Sequence, residues 1–170
     1  MKNKAFFLDR DWTINCLNDK PYVFSPNDVK LCPNVKDTLL KLKELGYLLV
    51  IITNQTWVGA WFYTKEDAIA VNKKIEELLW FKFDWIYSCY HHPNAGCNCR
   101  KPNIWNILQA SKDLNIDISR SYLVWDKEKD VLAGIKAGCK LNFLISSDDK
   151  FNLWNIVTIS NFSDILKYIN

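Results

Sequence analysis

The chain has 170 residues, 49% of them hydrophobic and 24% charged, which is enough apolar sequence for one domain of ordinary size over residues 1–170. Its net charge of +3 is spread without a basic block, so it gives no argument for a nucleic acid partner and suits a small anionic ligand. The longest apolar run, 47–52, is too short to span a bilayer, and no apolar secretion signal opens the chain. We therefore expect a cytoplasmic protein without a membrane partner.

Short apolar runs alternate with segments of helical periodicity along the chain. In chain order they predict strand 5–8, helix 35–45, strand 47–53, helix 64–79, strand 83–88, helix 103–114, strand 122–124, helix 128–137, strand 140–145 and helix 161–168. Strands that alternate with helices of this length are typical of an α/β fold. We expect a Rossmann-like, doubly wound parallel sheet with helices on both faces.

Polar side chains follow three of the predicted strands at the points where those strands end. They are Asp9 and Asp11 after the first strand, Thr53 at the end of the second, and Asp126 and Asp130 after strand 122–124. In an open parallel sheet the carboxyl ends of the strands meet at one edge, where ligands bind. We expect these groups to converge on one crevice, joined by Lys101 from the preceding loop.

Such a set provides what phosphoryl transfer requires: a nucleophile, a proton donor for the leaving oxygen, and positive charge around the phosphoryl group. Asp9 and Asp11 are two residues apart, so one carboxylate can attack phosphorus while the other handles the proton. A magnesium ion that bridges Asp9, the phosphate and Asp126 offsets the repulsion between a carboxylate and a dianion. Thr53 can hold a phosphate oxygen, and Lys101 can balance its charge.

A loop after strand 83–88 carries cysteines and a histidine at metal-ligand spacing. The ligand candidates are Cys89, His91, Cys97 and Cys99, with the adjacent His92 as an alternative to His91. Three thiolates and an imidazole form a closed tetrahedral set for structural zinc, so zinc should shape the loop at 89–101 and take no part in the chemistry. The remaining cysteines, Cys16, Cys32 and Cys139, are expected to be reduced packing residues.

The first motif, Asp-x-Asp-x-Thr at Asp9, Asp11 and Thr13, resembles that of the haloacid dehalogenase superfamily, and the resemblance covers nearly the whole chain. The strings at 53–55, 99–102 and 126–127 look like its capless, zinc-containing branch, which includes heptose bisphosphate and histidinol phosphate phosphatases. The resemblance implies a magnesium-dependent phosphomonoesterase for a small phosphorylated sugar, most commonly a monomer.

The resemblance also implies a role for each matching residue. It gives Asp9 as the nucleophile that carries an aspartyl-phosphate, and Asp11 as the general acid and then the general base. The other implied roles are magnesium binding by Asp9, Asp126 and the main-chain carbonyl of Asp11, phosphate binding by Thr53 and Lys101, substrate contact by Asn54 and Arg100, and support by Asp130 and Lys127.

The substrate that the resemblance implies is D-glycero-D-manno-heptose 1,7-bisphosphate, cleaved at its 7-phosphate. Ala60, however, stands where these enzymes usually have an arginine, so histidinol phosphate and other small monoesters stay open. Two readings from a different class are a receiver-like phosphate-binding module and a catalytically weak scaffold. The Asp-x-Asp-x-Thr string and the cysteine loop between Thr53 and Lys101 favour an enzyme over a receiver domain.

Tryptophan occurs repeatedly where the branch has glycine. The positions are Trp12, Trp57, Trp61, Trp80, Trp85, Trp105 and Trp125. Glycine accounts for only 5 of 170 residues, about 3% against a usual value of about 7%, and seven more glycines would close that deficit. We hypothesise that the gene uses a code in which UGA means glycine, and that this chain results from reading UGA as tryptophan.

Overall fold

The computed structural model describes residues 1–16, 22–146 and 155–169. Its centre is one parallel sheet with the strand order β3-β2-β1-β4-β5-β6. The strands are β1 (Lys4–Leu8), β2 (Tyr47–Asn54), β3 (Trp85–Cys89), β4 (Tyr122–Trp125), β5 (Leu141–Ile145) and β6 (Ile156–Ile159). The winding direction reverses between β1 and β4, which is the usual ligand-binding position in doubly wound sheets. The predicted fold class is confirmed.

Five α-helices connect or flank these strands in the described ranges. They are α1 (Val35–Glu44), α2 (Thr56–Gly59), α3 (Lys65–Leu79), α4 (Trp105–Asp113) and α5 (Glu128–Ala137), with short 3-10 segments at Pro26–Asp28, Pro93–Ala95, Ile118–Arg120 and Phe162–Lys167. Thr64 caps α3, since its hydroxyl accepts a hydrogen bond from the Asp67 backbone N–H at 3.1 Å and the Asp67 carboxylate accepts one from the Thr64 backbone N–H at 2.9 Å. None of these helices has the length and apolarity needed to cross a bilayer.

Both faces of the sheet are covered by helices. Along β1, Phe6 and Leu8 pack into an apolar cluster with α1 and α3, whereas Ala5 and Phe7 pack into a second cluster with α4 and α5. A strand that is buried on both faces has no polar side to alternate with. This burial explains why β2 consists of an almost uninterrupted apolar run.

The chain after β5 differs from the prediction. Ile156–Ile159 forms an edge strand that the periodicity did not indicate, because four residues are too few to show an alternation and pairing with β5 decides their conformation. The predicted helix 161–168 is a six-residue 3-10 segment, capped by Asn161 and Asp164. So short a segment closes with the tighter hydrogen bonds that are common in isolated turns.

Cys16 and Cys32 form a disulfide, so the expectation that both are reduced packing residues was wrong. The pairing arises because two distant segments meet. The Cys16 backbone N–H donates to the Lys30 carbonyl at 2.8 Å, and the Cys32 N–H donates to the Ile14 carbonyl at 2.9 Å. The spacing of Cys16 and Cys32 in the sequence does not indicate that the two residues pair. Cys139 remains a free, buried thiol, as expected.

Candidate active site

The polar groups predicted from strand ends lie at the carboxyl edge of the sheet, around its reversal point. Asp9 directly follows β1, Thr53 lies near the end of β2, and Asp126 directly follows β4. A cleft of about 470 Å³ is lined there by residues that include Asp9, Asp11, Thr53, Asn54, Arg100, Lys101, Lys127 and Asp130. Asp126 lines a neighbouring cavity of about 420 Å³. The structure therefore brings the predicted residues to one edge.

Lys101 forms a buried ion pair with Asp9. Its Nζ contacts Asp9 Oδ2, while the other carboxylate oxygen of Asp9 accepts a hydrogen bond from the Arg10 backbone N–H at 2.7 Å. Both side chains are almost fully buried, so the charges attract each other with little screening by water. A cation is thus held against the carboxylate that the sequence indicates as the nucleophile.

Asn54 fixes the position of Lys101. Its Oδ1 accepts from the Lys101 backbone N–H at 3.0 Å, and its Nδ2 donates to the Lys101 carbonyl at 3.2 Å. This reciprocal pair engages both ends of the Asn54 amide, which therefore helps to orient the lysine. Arg100 Nη1 donates to Thr56 Oγ1 at 2.7 Å. Arg100 also lines the cleft, where its positive charge can attract an anionic ligand.

Asp126 has the properties of a ligand for a hard cation. Its Oδ1 is buried and has no hydrogen-bond partner among the described residues. Burial, and after it the negative charge of Asp9, raises the pKa of Asp126 to about 6, although Lys127 and Lys101 act in the opposite direction. Two neighbouring carboxylates with an unpaired oxygen are a donor set that fits magnesium, which prefers oxygen ligands.

Replacing Asp126 with asparagine should flatten the pH dependence of stability in the metal-free protein. The unfolded chain loses this proton near the ordinary aspartate pKa, whereas the folded protein keeps it up to about pH 6. The free energy of unfolding therefore falls as the pH rises between these two values, by at most about 3 kcal/mol. Urea unfolding at mildly acidic and neutral pH measures the decline. An unchanged decline in Asp126→Asn would contradict this assignment.

The structure adds two residues to this edge that sequence reasoning left without a site role. The Asp11 carboxylate accepts a hydrogen bond from Arg10 Nη2 at 3.0 Å and another from Gln55 Nε2 at 3.0 Å. A signal for both was present in the sequence. Gln55 is two residues after Thr53 and so shares its strand face, and Arg10 stands between two acids at the end of a buried strand.

The four predicted zinc ligands form a compact cluster, with their ligand atoms all within 4.8 Å of one another. Cys89 Sγ lies 3.6 Å from Cys97 Sγ and 3.6 Å from His91 Nδ1, and His91 Nδ1 lies 3.2 Å from Cys99 Sγ. Zinc–sulfur bonds of about 2.3 Å place sulfurs about 3.8 Å apart in a tetrahedron, so the cluster has nearly the right size. His92 is engaged elsewhere, because its Nδ1 accepts from the Asn94 N–H at 3.2 Å.

Burial within the cluster changes the pKa of one of these thiols. Burial raises the pKa of Cys89 to about 12, so its sulfur carries a proton in the metal-free chain. A bound zinc ion would displace that proton and neutralise the thiolates, as structural zinc does. Asn106 Nδ2 donates to the Cys99 carbonyl at 3.0 Å and ties the loop to α4. The cluster fits structural zinc and lies next to Arg100 and Lys101 in the chain.

Two adjacent histidines provide a matched test of this cluster. His91→Ala should lose bound zinc and lower the free energy of unfolding by several kcal/mol, because a tetrahedral site loses one of its four ligands. His92→Ala should retain stoichiometric zinc. Metal content by atomic emission and thermal unfolding measure both effects. Full zinc in His91→Ala, or its loss only in His92→Ala, would contradict the ligand assignment.

Comparison with known proteins gives consistent matches. Residues 9–143 match the family model for haloacid dehalogenase-like hydrolases. The chain is 36% identical over 171 residues to D-glycero-beta-D-manno-heptose-1,7-bisphosphate 7-phosphatase of Helicobacter pylori strain J99, covering 98% of this chain and 97% of that one. It is 35% identical over 159 residues to the alpha-anomer enzyme of Burkholderia mallei, covering 88% and 83%.

The fold has close counterparts among solved structures. A crystal structure of D,D-heptose 1,7-bisphosphate phosphatase from B. bronchiseptica, complexed with magnesium and phosphate, superposes with a TM-score of 0.87. The two chains share 22% sequence identity, and the match covers 97% of each. At this level of identity the likeness shows the shared fold.

Proposed function

The chain belongs to the haloacid dehalogenase-like hydrolases, and from that membership we propose that it is a magnesium-dependent phosphatase that removes the 7-phosphate of D-glycero-D-manno-heptose 1,7-bisphosphate. The observation that carries this proposal is the buried Asp9–Lys101 ion pair at the reversal point of the sheet. Asp126 completes an oxygen-rich edge beside it. Asp9 and Lys101 line one cleft and Asp126 lines the cavity beside it, so the proposed nucleophile, compensating cation and metal ligand share one edge of the sheet.

In the proposed reaction, the Asp9 carboxylate attacks phosphorus and the bond to the sugar oxygen breaks. Asp11 gives its proton to that leaving oxygen, which departs as the sugar hydroxyl and leaves the phosphoryl group on Asp9. Asp11, now a carboxylate, takes a proton from water. The resulting hydroxide attacks phosphorus, releases phosphate and restores Asp9.

The remaining groups stabilise charge during both steps. The Lys101 ammonium and the Thr53 hydroxyl can hold phosphoryl oxygens, and the buried setting strengthens these contacts because water is excluded. Asp9, Asp126 and the main-chain carbonyl of Asp11 would hold a magnesium ion, which would supply positive charge to offset that of the phosphate. Asp130 and Lys127 line the approach from α5 and its cap.

The heptose assignment is supported by the relatives, which carry names for both anomers of this sugar bisphosphate. Magnesium-dependent phosphate release should be measured from both anomers of heptose 1,7-bisphosphate and from histidinol phosphate, with zinc-loaded protein. We expect one heptose anomer to have the highest kcat/KM. Preference for histidinol phosphate would move the assignment to the alternative substrate, and release from none of the three would contradict the proposal.

We further propose that the chain works as a cytoplasmic monomer with one domain over residues 1–170. The cluster of three cysteines and a histidine, which fits zinc better than a disulfide framework, supports a reducing compartment. The Cys16–Cys32 disulfide points the other way, because such bonds are rare in the cytosol. Titration of free thiols in protein prepared from cells under alkylating conditions would decide between the two.

A further inference from the structure

Arg10 is a buried arginine whose guanidinium is committed to the side chain of Asp11. It is 2% exposed, and its Nε and Nη2 donate to the two carboxylate oxygens of Asp11 at 3.1 and 3.0 Å. Its third nitrogen, Nη1, donates to Asn72 Oδ1 on α3 at 3.2 Å. This bidentate arrangement fixes the direction of a carboxylate as well as its charge.

Gln55 closes a ring of hydrogen bonds with this pair. Arg10 Nη2 donates to Gln55 Oε1 at 2.8 Å, and Gln55 Nε2 donates to Asp11 Oδ2 at 3.0 Å. The same Nε2 also donates to Thr53 Oγ1 at 2.8 Å, and the Tyr63 hydroxyl donates to Gln55 Oε1. Arg10 and Gln55, from the segments that follow β1 and β2, therefore hold Asp11 in one place relative to Thr53, and Asn72 of α3 in turn holds Arg10.

We propose that Arg10, acting with Gln55, is a positioning residue that aims the Asp11 carboxyl group at the leaving oxygen. This inference rests on the proposed function, in which Asp11 transfers the proton. Arg10 would act through Asp11 and not on the substrate, since all three of its nitrogens are engaged with Asp11, Gln55 and Asn72. Its effect should therefore depend on whether the leaving group needs a proton.

The test compares the first turnover of two substrates that form the same aspartyl-phosphate. Nitrophenolate leaves without a proton, whereas the sugar alkoxide needs one. Arg10→Met should slow the first turnover of the sugar phosphate by about 100-fold, the usual range for a lost proton donor, and that of p-nitrophenyl phosphate by less than tenfold. Asp11→Asn should show the same contrast, and Arg10→Lys should recover part of the loss.

Equal losses on both substrates would overturn the positioning role and indicate a structural one. Gln55→Met serves as the second variant if Arg10→Met does not fold, with the same contrast expected. Failure of the proposed function looks different, because wild-type protein would then release no phosphate from either substrate. Asp9→Asn should lose both substrates equally.

A second inference concerns the backbone at three tryptophans. In the described residues, φ is positive at eight positions. Three are Gly46, Gly96 and Gly138, two are Asn34 and Asn115, and three are Trp12, Trp61 and Trp80 with φ of 62°, 63° and 67°. Glycine and asparagine are the residues that enter this left-handed region readily, because a bulky side chain clashes there with the backbone.

Burial does not explain Trp61 or Trp80. The Trp61 side chain is 94% exposed and that of Trp80 is 85% exposed, so neither gains much from burial. Trp80 ends α3 in the same left-handed conformation with which Gly138 ends α5, a position where helices favour glycine. Trp125 is buried and unfavourable for a different reason: its indole Nε1 has no hydrogen-bond partner among the described residues.

We infer that the natural polypeptide has glycine at positions 12, 61 and 80. The backbone evidence is independent of the glycine deficit in the composition. Both observations agree with a UGA codon that means glycine in the natural host and is read here as tryptophan. Trp12 lines both cavities at the edge of the sheet, so a glycine there would widen the approach to Asp11 and Asp126. The natural enzyme would then have a more open site than the chain with tryptophan.

Tandem mass spectrometry of the protein purified from the cells that encode it reads these positions directly. We expect glycine at 12, 61 and 80, and tryptophan at any of the three would overturn the inference for that position. Urea unfolding gives a second measurement on the chain itself. Trp61→Gly should raise the urea midpoint, whereas Trp85→Gly, in the extended backbone of β3, should lower it. A lower midpoint for Trp61→Gly would count against strain at that residue.

Discussion

Asp9→Asn should abolish phosphate release, with kcat reduced by roughly 10⁴-fold or more, the scale found when a covalent nucleophile is removed. The amide keeps the volume of the side chain but cannot form the acyl phosphate. It also removes the charge that pairs with Lys101 and one of the proposed magnesium ligands. Steady-state phosphate release from heptose bisphosphate measures the loss, and acid quenching with labelled substrate should show phosphoenzyme in wild type only.

Asp113→Asn is a matched control for this substitution. Asp113 is an exposed aspartate at the last residue of α4, which runs back from the site toward the opposite edge of the sheet. Its carboxylate accepts from the Tyr87 hydroxyl at 2.8 Å, so the same chemical change occurs far from the cleft. We expect its kcat to stay within about twofold of wild type, as for most surface substitutions. Retained turnover in Asp9→Asn would exclude Asp9 as the nucleophile.

Lys101→Met should lower kcat/KM by about 100- to 1,000-fold, the range for losing one preorganised charge on a developing oxyanion. Methionine fills a similar volume, so the loss reports charge more than packing. Without the ammonium, the carboxylates of Asp9 and Asp126 face a phosphate dianion with less compensation, and magnesium should bind with altered affinity. Kinetics across a magnesium titration measure both effects.

Lys127→Met provides the comparison, because Lys127 lines the same cleft but is exposed at the cap of α5. Water screens an exposed charge, so its removal should cost less than tenfold. Circular dichroism of both variants measures their folded content and so distinguishes a folding defect from a catalytic one. Equal losses for the two lysines would show that general positive charge, and not the buried ion pair, supports the reaction.

The arrangement also explains why Lys101 is held so firmly. Its neighbour Arg100 directly follows the last predicted zinc ligand, Cys99, and Asn54 from β2 makes two hydrogen bonds to the Lys101 backbone. Loss of zinc should therefore affect the active site by changing the conformation of the loop, without any contact between metal and substrate. We expect His91→Ala to lower activity through a higher KM, since Arg100 and Lys101 would no longer be presented in fixed positions.

The sequence alone was sufficient for features that depend on local spacing. The apolar runs located β1, β2 and β4, because a strand buried on both faces must be apolar throughout. The predicted helix 64–79 agrees with α3 and its cap at Thr64, since a capping box is a contact within one turn. The spacing of Cys89, His91, Cys97 and Cys99 indicated their cluster, because a short loop brings close neighbours together in almost any conformation.

Only the tertiary structure decided which distant groups meet. Lys101 lies 92 residues from Asp9, and their ion pair depends on the register of β1 against β2 and on the clamp by Asn54. The Arg10–Asp11–Gln55 ring likewise requires two strand ends to lie side by side. Backbone conformation at Trp12 and Trp61 was also set by the fold. Periodicity in the sequence indicates which face of a helix or strand a residue occupies. Its side-chain partners and backbone dihedral angles depend on how whole helices and strands pack together.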